Sequence, residues 1–354
     1  MKFHRGIGGI GISIGGIRQF LTSSLALPFI ALAFGLACPV HAAEPAKVRV
    51  IAFEGGFNLP VWVAQRQGFF AGNGVDVALS FTPNSVFLIN SLFESKADIA
   101  LASFDNVVAY QEGQGEADSE KRSAPPDLFA FMGGDNGFLS LVAAPGLRTF
   151  ADLRGKTASV DAMTTGFAFA LRQMAADNGL SDSDLHYVKA GATGNRYRDL
   201  IAGKQDVTLL RTPFEILATD KGYETITTGT KAFGAYMGSV GVTRRAWAKD
   251  NRASLIGFTR GYQQAIRWLY MPENRAVAEQ LLVENVEGLT PYMAKKTCDL
   301  LLAPQGGLIR DLGFDIPGIQ TVLKLRSKYA QPAKVLTDPY KYIDTTYLSA
   351  AAGR

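Results

Sequence analysis

The chain has 354 residues, with 36 Lys and Arg against 32 Asp and Glu, for a formal charge of +4. So even a balance gives no electrostatic case for binding nucleic acid or an anionic membrane surface. The length suits two domains of about 150 residues each after a short leader, with stability drawn from core burial.

The first predicted element is that leader. Lys2, Arg5 and Arg18 supply positive charge, Leu21 to Ala37 is mostly apolar, and Val40-His41-Ala42-Ala43 offers a small-x-small cleavage site after Ala42. Residues 1–42 therefore read as a signal peptide, and the n-region lacks an Arg-Arg pair, so general secretion to the periplasm is expected rather than twin-arginine export. An uncleaved anchor and a lipoprotein at Cys38 are the alternatives; Gly35 stands where a lipobox needs a large aliphatic residue. The two cysteines are Cys38 and Cys298, so cleavage leaves one thiol and no internal disulfide.

Beyond the leader, strands and helices alternate. Lys47 to Phe53 predicts a strand, Gly55 to Asn58 a turn, and Leu59 to Gly68 a helix ended by glycine. Val75 to Phe81 predicts a strand, Ser85 to Ser95 a helix, and Ala97 to Ala102 a third strand running into Ser103-Phe104-Asp105-Asn106. Glu112 to Pro126 is Gly-, Ser-, Pro- and charge-rich and predicts a loop. Leu128 to Met132 and Leu139 to Ala144 return to strand character before Pro145-Gly146 marks a new unit.

The second cycle predicts strands at Thr157 to Val160, Leu185 to Val188 and Val207 to Leu210, with Tyr223 to Ile226 and Ala235 to Val242 also extended. Its helices are a long one opening at Thr164-Thr165-Gly166 and a shorter one from Arg196 to Ala202. From Thr243 the chain predicts helices at Trp247 to Tyr270, Glu273 to Val286, Pro291 to Leu302 and Gly318 to Lys328, with Ala350 to Arg354 frayed. The alternation implies an α/β fold with mostly parallel sheets covered by helices.

Catalytic patterns fail their contexts. Gly6 to Gly11 matches G-x-G-x-x-G and Gly11 to Gly15 matches G-x-S-x-G, but both lie in the leader and neither follows a strand. His4 and His41 leave with it, and His186 alone supports no zinc site. No enzyme, cofactor or metal is expected.

Several short motifs carry a resemblance. Pro60 to Phe70, Gly74 to Val77, Lys96 to Ala100, Asp152 to Lys156 and Gly203 to Val207 occur in an order that resembles type II periplasmic solute-binding proteins of ABC importers. More narrowly, the sequence is similar to the branch that includes sulfonate-, taurine- and thiamine-precursor-binding (NMT1/THI5-like) proteins. The resemblance implies a two-lobed fold, each lobe a mostly parallel sheet flanked by helices, with two crossover strands. Lobe one would take residues 43–140 and 241–354, and lobe two residues 141–240. It also implies a monomer that binds a small organic anion, a sulfonate or carboxylate, between the lobes. The partner would be a membrane permease with a separate ATPase subunit. An extracytoplasmic sensor module and a thiamine-pyrimidine-precursor protein share the fold and remain alternatives.

Candidate ligand residues follow from strand ends and helix starts, where backbone N–H groups favour anions. They are Gly56, Phe57 and Asn58 in the first turn; Ser103, Phe104 and Asn106 after the third strand; Asn136 near the first crossover; Thr164, Thr165 and Gly166; and Arg211. Thr164 to Gly166 matches the place where relatives hold an anionic head group. Arg211 ends an apolar strand, where a guanidinium can grip an acid with two parallel hydrogen bonds. Asp105 would repel an anion but hold an ammonium group, and Phe167 is a possible wall.

Overall fold

A computed structural model describes residues 44–116 and 127–353. The expected leader, 1–42, and most of the expected loop, 117–126, lie outside the described residues.

Two five-stranded sheets organise the chain. The first contains β1 (Ala46–Ala52), β2 (Val75–Phe81), β3 (Ile99–Ser103), β4 (Leu128–Gly133) and β10 (Ser239–Arg244), in the order β2-β1-β3-β10-β4. The second contains β5 (Leu139–Ala143), β6 (Lys156–Val160), β7 (Leu185–Lys189), β8 (Val207–Arg211) and β9 (Glu224–Thr228), in the order β7-β6-β8-β5-β9. The two orders have the same form. In each sheet the strand next to the last runs antiparallel to both neighbours, and the other pairings are parallel. Those two strands, β5 and β10, are the ones that cross from one sheet to the other.

The helices are placed by the strands. On the first sheet α1 (Leu59–Arg66), α2 (Ser85–Phe93) and α3 (Phe104–Gln111) each follow a strand. On the second, α4 (Gly166–Asp177), α5 (Thr193–Ile201), α6 (Phe214–Asp220) and α7 (Gly229–Phe233) do the same. The C-terminal run is α8 (Arg245–Asp250), α9 (Arg252–Leu269), α10 (Arg275–Asn285), α11 (Pro291–Leu301), α12 (Ile316–Tyr329) and α13 (Thr346–Ala351). Strands β4, β5 and β8 are buried along their whole length, as expected of strands covered on both faces. No described helix is long and apolar enough to cross a membrane.

Several local expectations shift. The helix expected over 247–270 is two helices, broken at Asn251, whose φ of −120° and ψ of 34° leave the helical region. The C-terminus is not frayed from Ala350: α13 runs to Ala351, and Arg260 donates to the carbonyls of Ala351 (3.1 Å) and Ala350 (3.0 Å). Helix α5 starts at Thr193, three residues before the expected Arg196.

The C-terminal segment returns to the first sheet, where Ile343 bridges Ala130 and Leu308 bridges Asp135. At the end of β4 the Gly313 carbonyl oxygen lies 1.9 Å from where a Gly133 Cβ would sit. No side chain fits there without moving backbone. Gly133→Ala is expected to cost about 1–3 kcal/mol, read as a lower urea midpoint at unchanged slope.

Candidate functional site

The carboxyl ends of β1, β3, β6 and β8 and the starts of α3, α4 and α5 meet around a narrow cavity of about 30 Å³. The first sheet's side contributes Phe53, Ser103, Asp105 and Asn106. The second sheet's side contributes Asp161, Thr165, Gly166, Phe167, Thr193, Arg196 and Arg211. A smaller space of about 10 Å³ adjoins it and shares Asp105, Asn106 and Thr165, with Thr164 and Glu116 on its wall.

Of the expected ligand residues, Ser103, Asn106, Thr165, Gly166 and Arg211 line the cavity and Thr164 lines the adjoining space. Gly56, Phe57 and Asn58 stand behind the wall. The Gly56 N–H donates to the Thr212 carbonyl (3.1 Å), and the Asn58 amide donates to the carbonyls of Phe53 (2.7 Å) and Gly55 (3.0 Å). The Phe57 ring lies under the Arg211 guanidinium at 3.8 Å. Phe104 is fully buried and meets Tyr342 edge-on, so it belongs to the core rather than the wall. Asn136 is half-buried and does not line the cavity.

Arg211 reaches the wall already bonded. Its Nη2 donates to both Asp135 carboxylate oxygens at 2.8 Å, Nε to the Gly137 carbonyl (2.8 Å) and Nη1 to Ser239 Oγ (3.0 Å). The partner is Asp135, not the neighbouring Glu215, whose carboxyl bonds Thr212 and is pushed up to about 7 by burial.

Helix α4 also starts with its donors in use. The Gly166 N–H donates to Asp105 Oδ2 at 2.6 Å. Asp105 is in turn held by Arg326 of α12, Nε to Oδ1 and Nη2 to Oδ2, both 2.7 Å. The Thr164 N–H and hydroxyl donate to Glu116 Oε1 at 3.0 and 3.2 Å, and Lys189 holds the other Glu116 oxygen at 2.5 Å. Thr165 caps the helix, accepting from the Ala168 N–H. The partial positive charge of this helix start is thus met by the protein's own carboxylates.

Two fully buried donor atoms of the lining residues have no partner. Arg196 is 3% exposed; its Nη1 and Nη2 donate to the carbonyls of Gly191 (2.6 Å) and Leu209 (3.0 Å), and its Nε has no partner. Burial pushes this guanidinium down to about 10, with the Asp161 charge pulling the other way. The Ser103 hydroxyl is likewise buried and unpartnered. Asp161 accepts from the Ser85 N–H of α2, at 3.1 and 3.4 Å, and burial pushes its carboxyl up. Among the described residues no cluster of three His, Cys, Asp or Glu side chains is placed to hold a metal ion.

The NMT1-like family model matches residues 41–283. The chain belongs to the NMT1-like family. No curated protein matches it significantly by sequence. Among solved structures, a protein of Bordetella bronchiseptica RB50 is 20% identical, with 88% of this chain and 98% of that one covered at a TM-score of 0.72. The periplasmic nitrate-binding protein NrtA of Synechocystis PCC 6803 is 10% identical, covering 88% and 86%, at 0.68. The alkanesulfonate-binding protein SsuA of Xanthomonas axonopodis pv. citri, bound to MOPS, is 20% identical, covering 73% and 84%, at 0.58. These likenesses establish the type II periplasmic-binding-protein fold for this NMT1-like chain.

Sequence reasoning missed Arg196, Asp161 and Thr193 of the NMT1-like cleft. Asp161 directly follows a predicted strand, so its place at a strand's carboxyl end was the available signal. Thr193 and Arg196 occupy the first turn of α5, which starts three residues before the expected Arg196.

Proposed function

We propose that this chain is the solute-binding component of an ABC importer, exported to the periplasm by residues 1–42 and acting as a monomer. Its two lobes, 43–140 with 241–354 and 141–240, close on a small organic acid, which is then delivered to a membrane permease driven by a separate ATPase subunit. The family, the fold and the nitrate- and alkanesulfonate-binding neighbours support this reading.

One observation carries the choice of an acid. Arg196 and Ser103 line the cavity from its two sides, and Arg196 Nε and Ser103 Oγ are buried donors without partners. A buried donor left unmade is costly, and a charged one more so. An acid group offers both donors an acceptor at once. Contacts to both sides make the ligand favour the closed form by its differential affinity, which is how a small molecule shifts a hinge equilibrium. The protein already supplies weaker bonds across the same gap, including Gly56 N–H to Thr212 O (3.1 Å) and Ala192 N–H to Pro83 O (2.8 Å).

The test is a thermal-shift screen of the full chain against alkanesulfonates, carboxylates, nitrate and neutral pyrimidines, since a ligand of the folded state must raise its melting temperature. Acids are expected to give the shifts. Arg196→Met is expected to weaken the best acid about 10- to 100-fold, the worth of a charged hydrogen bond. A shift with neutral pyrimidines and none with acids would overturn the assignment.

A further inference from the structure

The start of α4 has the parts of an anion seat. Gly166 opens the helix, and a Cβ there would lie 2.5 Å from Asp105 Cγ and 2.8 Å from the Tyr236 hydroxyl oxygen. Only a residue without a side chain lets an acid group come so close to the helix end. Arg326 enters from α12, fully buried, with Nε and Nη2 on Asp105 and Nη1 without a partner. The Tyr236 hydroxyl is also buried and unpartnered. A backbone N–H and a guanidinium thus grip one carboxylate, and a phenol stands beside it.

That carboxylate comes from across the cleft. Asp105 belongs to α3, on the first sheet, and α4 lies on the second. Its two oxygens meet the guanidinium through two bonds, the geometry in which arginine holds a free acid. We propose that Asp105 is a tethered acid that fills this seat and closes it to the ligand. What this says of the ligand rests on the acid reading above and deepens it. The donors of Arg196 and Ser103 stay open and the start of α4 does not, so the cleft takes one acid group and rejects a second. A second acid group would have to displace Asp105 and leave two like charges at one helix start. The tether favours Asp105 in that competition, because a group held on the chain gives up no freedom of translation to bind.

Asp105→Ala empties the seat and leaves Gly166, Arg326 and Tyr236 in place. Asp105→Asn keeps the seat filled, with an oxygen for the Gly166 N–H. Formate is the probe, a carboxylate of the size removed. Melting temperatures of both variants and of the unaltered chain would be compared in sodium formate and sodium chloride at equal ionic strength. Formate is expected to raise Asp105→Ala by at least about 2 °C more than the other two, saturating with concentration. An equal rise in all three would place formate elsewhere and overturn the seat, as would no rise in Asp105→Ala. If Asp105→Ala does not fold in chloride, refolding from urea in formate reads the same point. A second measurement needs no variant. Calorimetric titration of the unaltered chain is expected to show succinate binding at least about tenfold more weakly than propionate. Succinate binding as tightly as propionate would overturn the closure by Asp105. Binding of neither acid would overturn the acid reading alone, and a formate rise confined to Asp105→Ala would still establish the seat.

Discussion

Arg326→Met is expected to destabilise the folded protein by about 3–5 kcal/mol, the usual cost of removing one partner from a buried ion pair. Arg326 is fully buried, and its guanidinium holds Asp105, itself 1% exposed, through two bonds of 2.7 Å. A third bond runs from Nη2 to the Thr164 carbonyl at 2.8 Å. Without the guanidinium, the Asp105 carboxylate keeps the Gly166 N–H as its single hydrogen-bond donor in an apolar setting. The loss should appear as a lower urea midpoint and a melting temperature lower by roughly 5–8 °C for a chain of this size. Arg326→Met with Asp105→Leu should recover part of it, because a buried pair replaced by apolar groups often breaks even. A loss below about 1 kcal/mol in the single variant would show that Asp105 is compensated by something other than Arg326.

This pair also shows what was and was not legible in the sequence. Both cycles of strand and helix, the strand Val75–Phe81 to the residue, and the starts of α1, α2 and α11 follow from local pattern. The resemblance supplied the two-sheet topology, which periodicity alone does not. Pairings between distant residues were not readable. Arg326 lies 221 positions from Asp105, on a helix whose expectation was only that it be amphipathic. Asp105, between a strand and a helix, reads from sequence as a place for an ammonium group; the structure spends it on Gly166 and Arg326. Likewise Phe104 has the same address as Ser103, but the helix turns its ring into the core beside Tyr342. Sequence position finds the rim of the cleft. Which side chains on that rim stay free is decided by partners that only the fold brings near.

Arg211→Ala is expected to lower stability by about 3–5 kcal/mol and to weaken acid binding tenfold or more. The two effects have one origin. Asp135 and Gly137 lie in the crossing from β4 to β5, and Ser239 opens β10, the return strand. Arg211, at the end of β8, bonds all three, and Asp135 also accepts from the N–H groups of Gly137 (2.8 Å) and Ser239 (3.1 Å). One guanidinium therefore fastens both crossing segments to the second sheet, directly beneath the cleft. Phe57 stacks on its face at 3.8 Å and brings the first sheet's turn into the same contact. Removing it leaves the Asp135 carboxylate, 1% exposed, without its counter-charge, and loosens the two segments that cross between the sheets. Arg211→Lys should fare little better, because an ammonium gathers its donors on one nitrogen and cannot span acceptors that Arg211 reaches with three separate nitrogens. Urea unfolding measures the first effect and calorimetric titration the second. A full loss of stability with unchanged affinity would make Arg211 a fastening for the crossing segments alone. An unchanged stability would mean that the crossing segments are held by the strand pairings of β5 and β10 without it.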